Sequence, residues 1–192
     1  MINIEGIILA GGLSSRAGTN KLILEINNTT IIEHCILGMY DYCSRIIVVG
    51  GHRIDDIKKH LKKYSKVDLI HNENYLDGMF SSVKTGINHL EGDRFFLTPG
   101  DYPFINKATY KALLEVNEDI VIPTFNKKKG HPILMKTHLR DEFINDPSIN
   151  SLREYIWKKE PITLEVEDSG ILFDVDTMDD YYKTAPFWQK SE

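Results

Sequence analysis

The sequence predicts an α/β protein: a single domain over residues 1–192 with three α/β/α layers, built on a mixed but mostly parallel sheet. Three observations lead there. Apolar segments alternate with helical ones from the first residues onward. Those apolar segments are apolar at consecutive positions, as in strands buried on both faces. Two later apolar runs flank a short polar turn, which adds an antiparallel hairpin to the sheet.

Taken in order, "IEGIILA" is a strand and "TIIEHCILGMYDYC" a helix, followed by the strand "RIIVVGG". In "IDDIKKHLKKY", Ile54, Ile57, Leu61 and Tyr64 recur at helical spacing, while Lys58, Lys59, Lys62 and Lys63 fill the gaps as a solvated face. "VDLIHN", "FSSVKTGINHL" and "RFFLTPGD" continue the alternation. After "TYKALLEVN" comes the hairpin "DIVIPTFNKKKGHPILMK". Two helical segments are expected around 137–146 and 149–159, then late strands at "ITLEVE" and "GILFDV", and a closing helix "TMDDYYKTAPFW". Thr177 and Asp180 are spaced as a capping pair. No internal repeat, low-complexity tract or linker interrupts the chain.

Composition narrows the partners. Lys and Arg number 23 against 28 Asp and Glu, a formal charge of -5. Nucleic acid and anionic membranes both require clustered positive charge, so neither is expected. A small anionic ligand held by a few local cations fits better. No stretch approaches the roughly 18 apolar residues that cross a bilayer, and no secretory pattern opens the chain, so a cytoplasmic location is expected. Cys35 and Cys43 stand about 12 Å apart along one predicted helix and are expected as two buried thiols without a disulfide.

The stretch that carries chemistry is "EGIILAGGLSSRAGTNK", residues 5–21. Ligands of open α/β sheets sit beyond the carboxyl ends of the strands, and this loop follows the first strand. Gly11, Gly12 and Gly18 let backbone N–H groups approach phosphate oxygens, and Arg16 and Lys21 add full charges. The spacing excludes both the dinucleotide fingerprint Gly-x-Gly-x-x-Gly and the P-loop, which needs Gly-Lys-Ser/Thr contiguous. Asp101 stands at the strand end in "LTPGDYPFI", where Gly100 turns the chain and Pro103 fixes it. Asp174 and Asp176 in "FDVDTMDDY" alternate along a predicted strand and share one face.

The pattern Leu9, Ala10, Gly11, Gly12, Ser14, Arg16, Gly18 and Lys21 resembles the signature loop of the MobA-like nucleotidyltransferases, and most of the chain resembles their molybdenum cofactor cytidylyltransferase branch. The resemblance implies a Rossmann-like fold of nucleotide-diphospho-sugar transferase type. It implies Mg2+-dependent transfer of a nucleoside monophosphate, with CTP favoured over GTP as donor, to a phosphorylated acceptor such as molybdopterin, with release of pyrophosphate. Arg16, Lys21 and Asp101 would be catalytic, with Asp101 matching the family's Gly-Asp-x-Pro metal motif. Asp174 and Asp176 fall in a stretch that resembles its closing Asp-x-Asp-Thr-x-x-Asp motif, with Met178 in place of the common proline. Asp176 is favoured as the second metal ligand, Asp174 as a group positioning a lysine, a water or a second metal, and Asp180 as a helix cap.

"DGMFSSVKTGI" resembles the cytidylyl stretch that would set Gly78, Ser81, Ser82 and Gly86 against the base or ribose. "GHPIL" places His131 near the acceptor. Where many cytidylyl members carry Gly-Asp-x-Gly-Ala-Arg, this chain has "NDPSINSLREYI", and Arg153 is expected to supply the acceptor-side charge. Gly11-Gly12 is the form common in guanylyltransferases, and Ala17 stands where Met or Phe is usual. The rival readings are a same-fold enzyme using GTP or a sugar- or alcohol-phosphate acceptor, and a non-catalytic nucleotide-binding accessory protein. A molybdoenzyme or its accessory factor is the expected protein partner. The other histidines, His34, His52, His60, His71, His89 and His138, show no zinc-ligand spacing.

Overall fold

The computed structural model describes residues 2–11 and 20–184. Its elements run β1 (Ile4–Ala10), β2 (Glu25–Ile26), β3 (Thr29–Thr30), α1 (Ile31–Met39), β4 (Arg45–Gly50), α2 (Ile54–Leu61), β5 (Val67–His71), α3 (Met79–Asn88) and β6 (Arg94–Pro99). They continue with α4 (Lys107–Leu114), β7 (Ile120–Phe125), β8 (Lys128–Lys129), β9 (Ile133–Lys136), α5 (Arg140–Asn145), α6 (Leu152–Lys158), β10 (Ile162–Glu165) and α7 (Met178–Lys183). Main-sheet order is β10-β7-β9-β6-β1-β4-β5, with β8 paired to β7. β5, β4, β1 and β6 are mutually parallel. The predicted hairpin forms: β9 is antiparallel to both β7 and β6.

The consecutive apolar positions of the strands feed two separate cores. Ile8, Val48 and Phe96 point to one layer with Ile31 and Ile36 of α1, Ile57 and Leu61 of α2, and Tyr110 of α4. Ile7, Ile47 and Phe95 point to the other with Val83 and Ile87 of α3, Phe143 of α5 and Tyr155 of α6. A period-two strand with both phases buried needs helices on both faces, which gives the three layers. Both cysteines are buried free thiols, as expected. Among the described residues no helix is long and apolar enough to cross a membrane.

Two features differ from the sequence reading. A two-residue hairpin, β2–β3, turns through Asn27 and Asn28, both at positive φ (51° and 60°); asparagine tolerates that region. "GILFDV" does not form a strand. Residues Ser169–Leu172 wind into a 3-10 turn, and residues 173–176 cross the carboxyl end of β6 without joining the sheet. The cause is Asp168, which is 4% exposed. Its Oδ1 accepts from Gly170 N at 2.9 Å, and its Oδ2 accepts from Asn106 N at 2.8 Å and Thr109 Oγ1 at 2.6 Å. One carboxylate thereby caps both the 3-10 turn and the start of α4, pulling the late segment off the sheet edge.

The first turn of α1 carries a buried charge. Glu33 accepts from Thr30 N at 3.0 Å and Thr30 Oγ1 at 2.5 Å, and also from Tyr64 Oη at 3.1 Å and Lys63 Nζ at 2.6 Å. Burial alone would raise its pKa, but the Lys63, Thr30 and Tyr64 hydrogen bonds prevail and lower it from 4.5 to about 2. A depressed folded-state pKa contributes stability that is present above pH 4.5 and lost as pH falls through 2. Glu33→Gln is therefore expected to lower Tm at pH 7 by about 4–8 °C, from a loss of about 2 kcal/mol. Thermal melts between pH 7 and pH 2 should show this gap closing as the pH falls below 4.5.

Candidate active site

The sheet winds outward from β1 through β4 and β5, then returns on the other side with β6, so its order reverses between β1 and β6. Leu9 of β1 lies opposite Pro99 of β6 at that crevice, the usual ligand position in open α/β sheets. Lys21 and Asp101 follow these two strand ends. Asn20, 6% exposed, accepts from Leu22 N at 3.2 Å and starts a 3-10 turn whose Leu22 is buried in the core, which orients Lys21 back over the crevice. Beyond β6, Gly100 N donates to Leu9 O at 2.9 Å and Cys35 Sγ donates to Gly100 O at 3.2 Å, so the turn carrying Asp101 is tied to β1 and α1. Val175 N donates to Asp101 O at 2.9 Å, and Val175 is wholly buried.

The three chain regions meet at one ammonium group. Lys21 Nζ donates to Asp101 Oδ2 and to Asp176 Oδ1, each at 2.7 Å. Burial works against the lysine's charge, but the Asp101 and Asp176 carboxylates outweigh it and raise its pKa. Asp174 lines the same cavity as Asp101 and Asp176. Burial, and then repulsion from Asp101 and Asp176, pushes its carboxyl above the ordinary value. Asp174 and Asp176 thus do share a side with Val175 opposite, although no strand imposes it.

Among the described residues no group of three or more His, Cys, Asp or Glu is arranged to hold a metal ion. A magnesium ion that keeps waters and phosphate oxygens requires only one or two carboxylates. Asp101 Oδ1 is buried without a hydrogen-bond partner, and three carboxylates face one lysine. An orphaned carboxylate oxygen in an anionic pocket fits a divalent cation.

Beside these groups opens a cavity of about 830 Å³ lined by Leu9, Leu97, Ile122, Ile133, Ile156 and Trp157, with Asp101, Asp174, Asp176, His131 and Arg153 also lining it. His131 packs edge-on against Tyr102, ring centroids 4.8 Å apart. Burial, partly opposed by Asp101, lowers its pKa to about 4, so it is neutral near pH 7, and its Nδ1 is buried without a partner. Tyr102 is pushed up to about 12 by burial and by Asp174, Asp101 and Asp176. Arg153 is exposed and forms no ion pair among the described residues. Lys129 Nζ lies 3.7 Å from the centroid of the Trp157 ring at the rim, a pairing absent from the sequence reading.

The remaining predicted site residues divide. Gly12, Ser14, Arg16 and Gly18 lie outside the described residues. Leu9 lines the cavity and Ala10 is buried in the core. Gly78 opens α3 at φ 89°, a left-handed value that only glycine adopts cheaply. Ser82 is 4% exposed, and a Cβ on Gly11 would stand 3.0 Å from its Oγ, so α3 begins against the first loop. Ser81 Oγ turns back on the backbone, 2.8 Å from Asn74 O and from Gly78 O. Gly86 lies against the sheet, where a Cβ would come within 2.8 Å of Ile7 Cγ2. Motifs gave no sign of Asn20, Asn72 or Asp168, whose partners are backbone groups and isolated hydroxyls; only the Asx-turn habit of such residues could have suggested them.

A lysine flanked by carboxylates at the crevice of an open α/β/α sheet, beside a large cavity, describes a phosphate-handling transferase. Its relatives narrow this class. The MobA-like NTP transferase domain matches residues 6–158, and the chain belongs to that family and is a nucleotidyltransferase. The molybdenum cofactor cytidylyltransferase of Escherichia coli (strain K12) is 32% identical over 182 residues, 94% of this chain and 95% of its own length. A probable molybdenum cofactor guanylyltransferase of Bacillus cereus (strain ATCC 10987 / NRS 248) is 30% identical over 70% of this chain and 68% of its own. In fold, a nucleotidyl transferase from Methanothermobacter thermautotroptrophicus superposes with a TM-score of 0.83 over 99% of both chains, at 20% identity.

Asp168→Ala would strand three donors at once. It is expected to cost about 2–4 kcal/mol, read as a fall in the urea midpoint, and to lower turnover because residues 173–176 lose their anchor. Asp168→Asn, which still offers one acceptor, should fall between the two.

Proposed function

We propose that the protein transfers CMP from CTP to the terminal phosphate of molybdopterin, with Mg2+, releasing pyrophosphate in the cytoplasm. The observation that carries this reading is the shared contact of Lys21 with Asp101 and Asp176 at 2.7 Å. It brings a cation from the first loop to two carboxylates from the middle and end of the chain, at the crevice where a nucleotide would lie. The likeness to the E. coli cytidylyltransferase, which extends over nearly the whole of both chains, supports CTP and the molybdenum cofactor as donor and acceptor.

In this mechanism, Asp101 and Asp176 would hold the magnesium ion, with Asp174 beside them. When bound, the ion neutralises charge on the phosphates and favours departure of pyrophosphate. Lys21, kept charged by its carboxylate partners, and Arg16 hold the β- and γ-phosphates and stabilise charge growing on the leaving oxygens. The acceptor's phosphate oxygen is already anionic and attacks without a general base. His131, neutral and with an unpartnered buried nitrogen, supplies a hydrogen bond to the acceptor rather than a charge. The apolar cavity walls hold the acceptor's body and exclude water, while Arg153 meets its negative charge at the rim. Gly78 and Ser82 receive the nucleoside at the start of α3.

Asp101→Asn should reduce pyrophosphate release by about 10²-fold or more, and Lys21→Ala by about 10²- to 10³-fold. Turnover within a few-fold of the parent in Asp101→Asn would remove the metal assignment. Thermal-shift curves with the four ribonucleoside triphosphates, each with and without magnesium, should give CTP the largest stabilisation, about 5–10 °C at 100 times its Kd. A larger shift with GTP would transfer the reading to guanylyl transfer. Triphosphate binding without pyrophosphate release for any acceptor would point to an accessory protein.

A further inference from the structure

Asn72, directly after β5, is 2% exposed, and its side chain is fully committed. Its backbone N–H donates to Gly50 O at 2.8 Å, which fixes it to the end of β4. Asn74 N donates to Asn72 Oδ1 at 3.0 Å. A backbone N–H can only donate, so the atom facing it is the amide oxygen, and the amide nitrogen faces the other way. That nitrogen lies 2.8 Å from Ser81 Oγ and 2.9 Å from Ser82 Oγ and donates one hydrogen to each. Both hydroxyls therefore accept from Asn72 and must place their own protons elsewhere. Ser81 has Asn74 O and Gly78 O for this purpose. Ser82 has no acceptor for its proton among the described residues, though it is buried beside Gly11.

We propose that Asn72 sets the hydrogen-bond polarity of the nucleotide site: by donating to Ser82 Oγ, it obliges the Ser82 hydroxyl to present a proton, and the site receives an acceptor atom of the nucleotide. This rests on the reading of Ser82 as a nucleotide contact. Asn72 itself touches no reacting atom and is a positioning residue. Ser81, in the first turn of α3, holds Asn72 rather than the ligand.

The test is a double-mutant cycle on CTP affinity, measured by titration calorimetry with magnesium, using Asn72→Asp, Ser82→Ala and the pair. Aspartate keeps the shape and still accepts from Asn74 N, but it cannot donate. Both hydroxyls then turn their protons onto it, and Ser82 offers the nucleotide only lone pairs. Each single substitution is expected to weaken CTP binding about 10-fold, the value of one buried hydrogen bond. The pair should be hardly weaker than Ser82→Ala alone, and KM for CTP should rise in Asn72→Asp with kcat little changed. A carboxylate that merely repelled the triphosphate would weaken binding equally in the Ser82→Ala background, so additive losses overturn the proposal. Parent-like affinity in Asn72→Asp beside weakened Ser82→Ala also overturns it, while leaving the nucleotide reading intact. Unchanged affinity in Ser82→Ala overturns both. If Asn72→Asp fails to fold, Asn72→Ala, which frees the hydroxyls to rotate, should give a smaller loss that again vanishes in the Ser82→Ala background.

Discussion

The site depends on one ammonium group held between two carboxylates. Lys21, Asp101 and Asp176 come from three distant parts of the chain, and Lys21 and Asp101 would be costly in the crevice unpaired. Lys21 and Asp101 are largely buried, with side chains 14% and 18% exposed. A charge at that depth is tolerated only when paired. The pairing therefore fixes the geometry in which the first loop, the turn after β6 and the late crossing segment face each other. It also leaves the pocket with surplus negative charge, which a cation accompanying a triphosphate would complete.

Much of the architecture around that group exists to keep backbone segments in place. Asp168 holds the late segment against α4, Val175 is locked under Asp101 O, and Gly100 is tied to β1. The same logic governs the nucleotide side, where Asn72 draws the start of α3 toward β5. None of these residues carries the reaction. Without them the reacting groups would sit on segments free to drift by more than the tolerance of a nucleotidyl-transfer site.

The layered fold was legible because strands buried on both faces leave an unmistakable run of apolar residues, as in "IIVVG" and "RFFL". That Lys21, Asp101 and Asp176 come together was legible from the motifs that carry them, although Asp176 lies in no strand. The expected strand at "GILFDV" was not realised, since its buried Ile171 and Val175 belong to a segment that crosses the strand ends rather than to the sheet. Apolar alternation does not distinguish the two when one buried aspartate decides the path. Asn72 and Asp168 were invisible for a related reason: polar residues whose partners are backbone groups and isolated hydroxyls leave no spacing pattern. Gly86, which resembled a ligand-side glycine, is explained by the closeness of α3 to Ile7 and Val49.

The crossing segment also ties chemistry to the order of synthesis. Residues 4–99 supply four adjacent parallel strands, and a nascent chain could fold that half while the remainder is still being made. Asp174 and Asp176, however, are made after the hairpin strand β9 that is inserted next to β6. A nascent chain that stops short of them would possess the sheet and the lysine but lack one of its two counter-charges, so competence waits for the crossing segment.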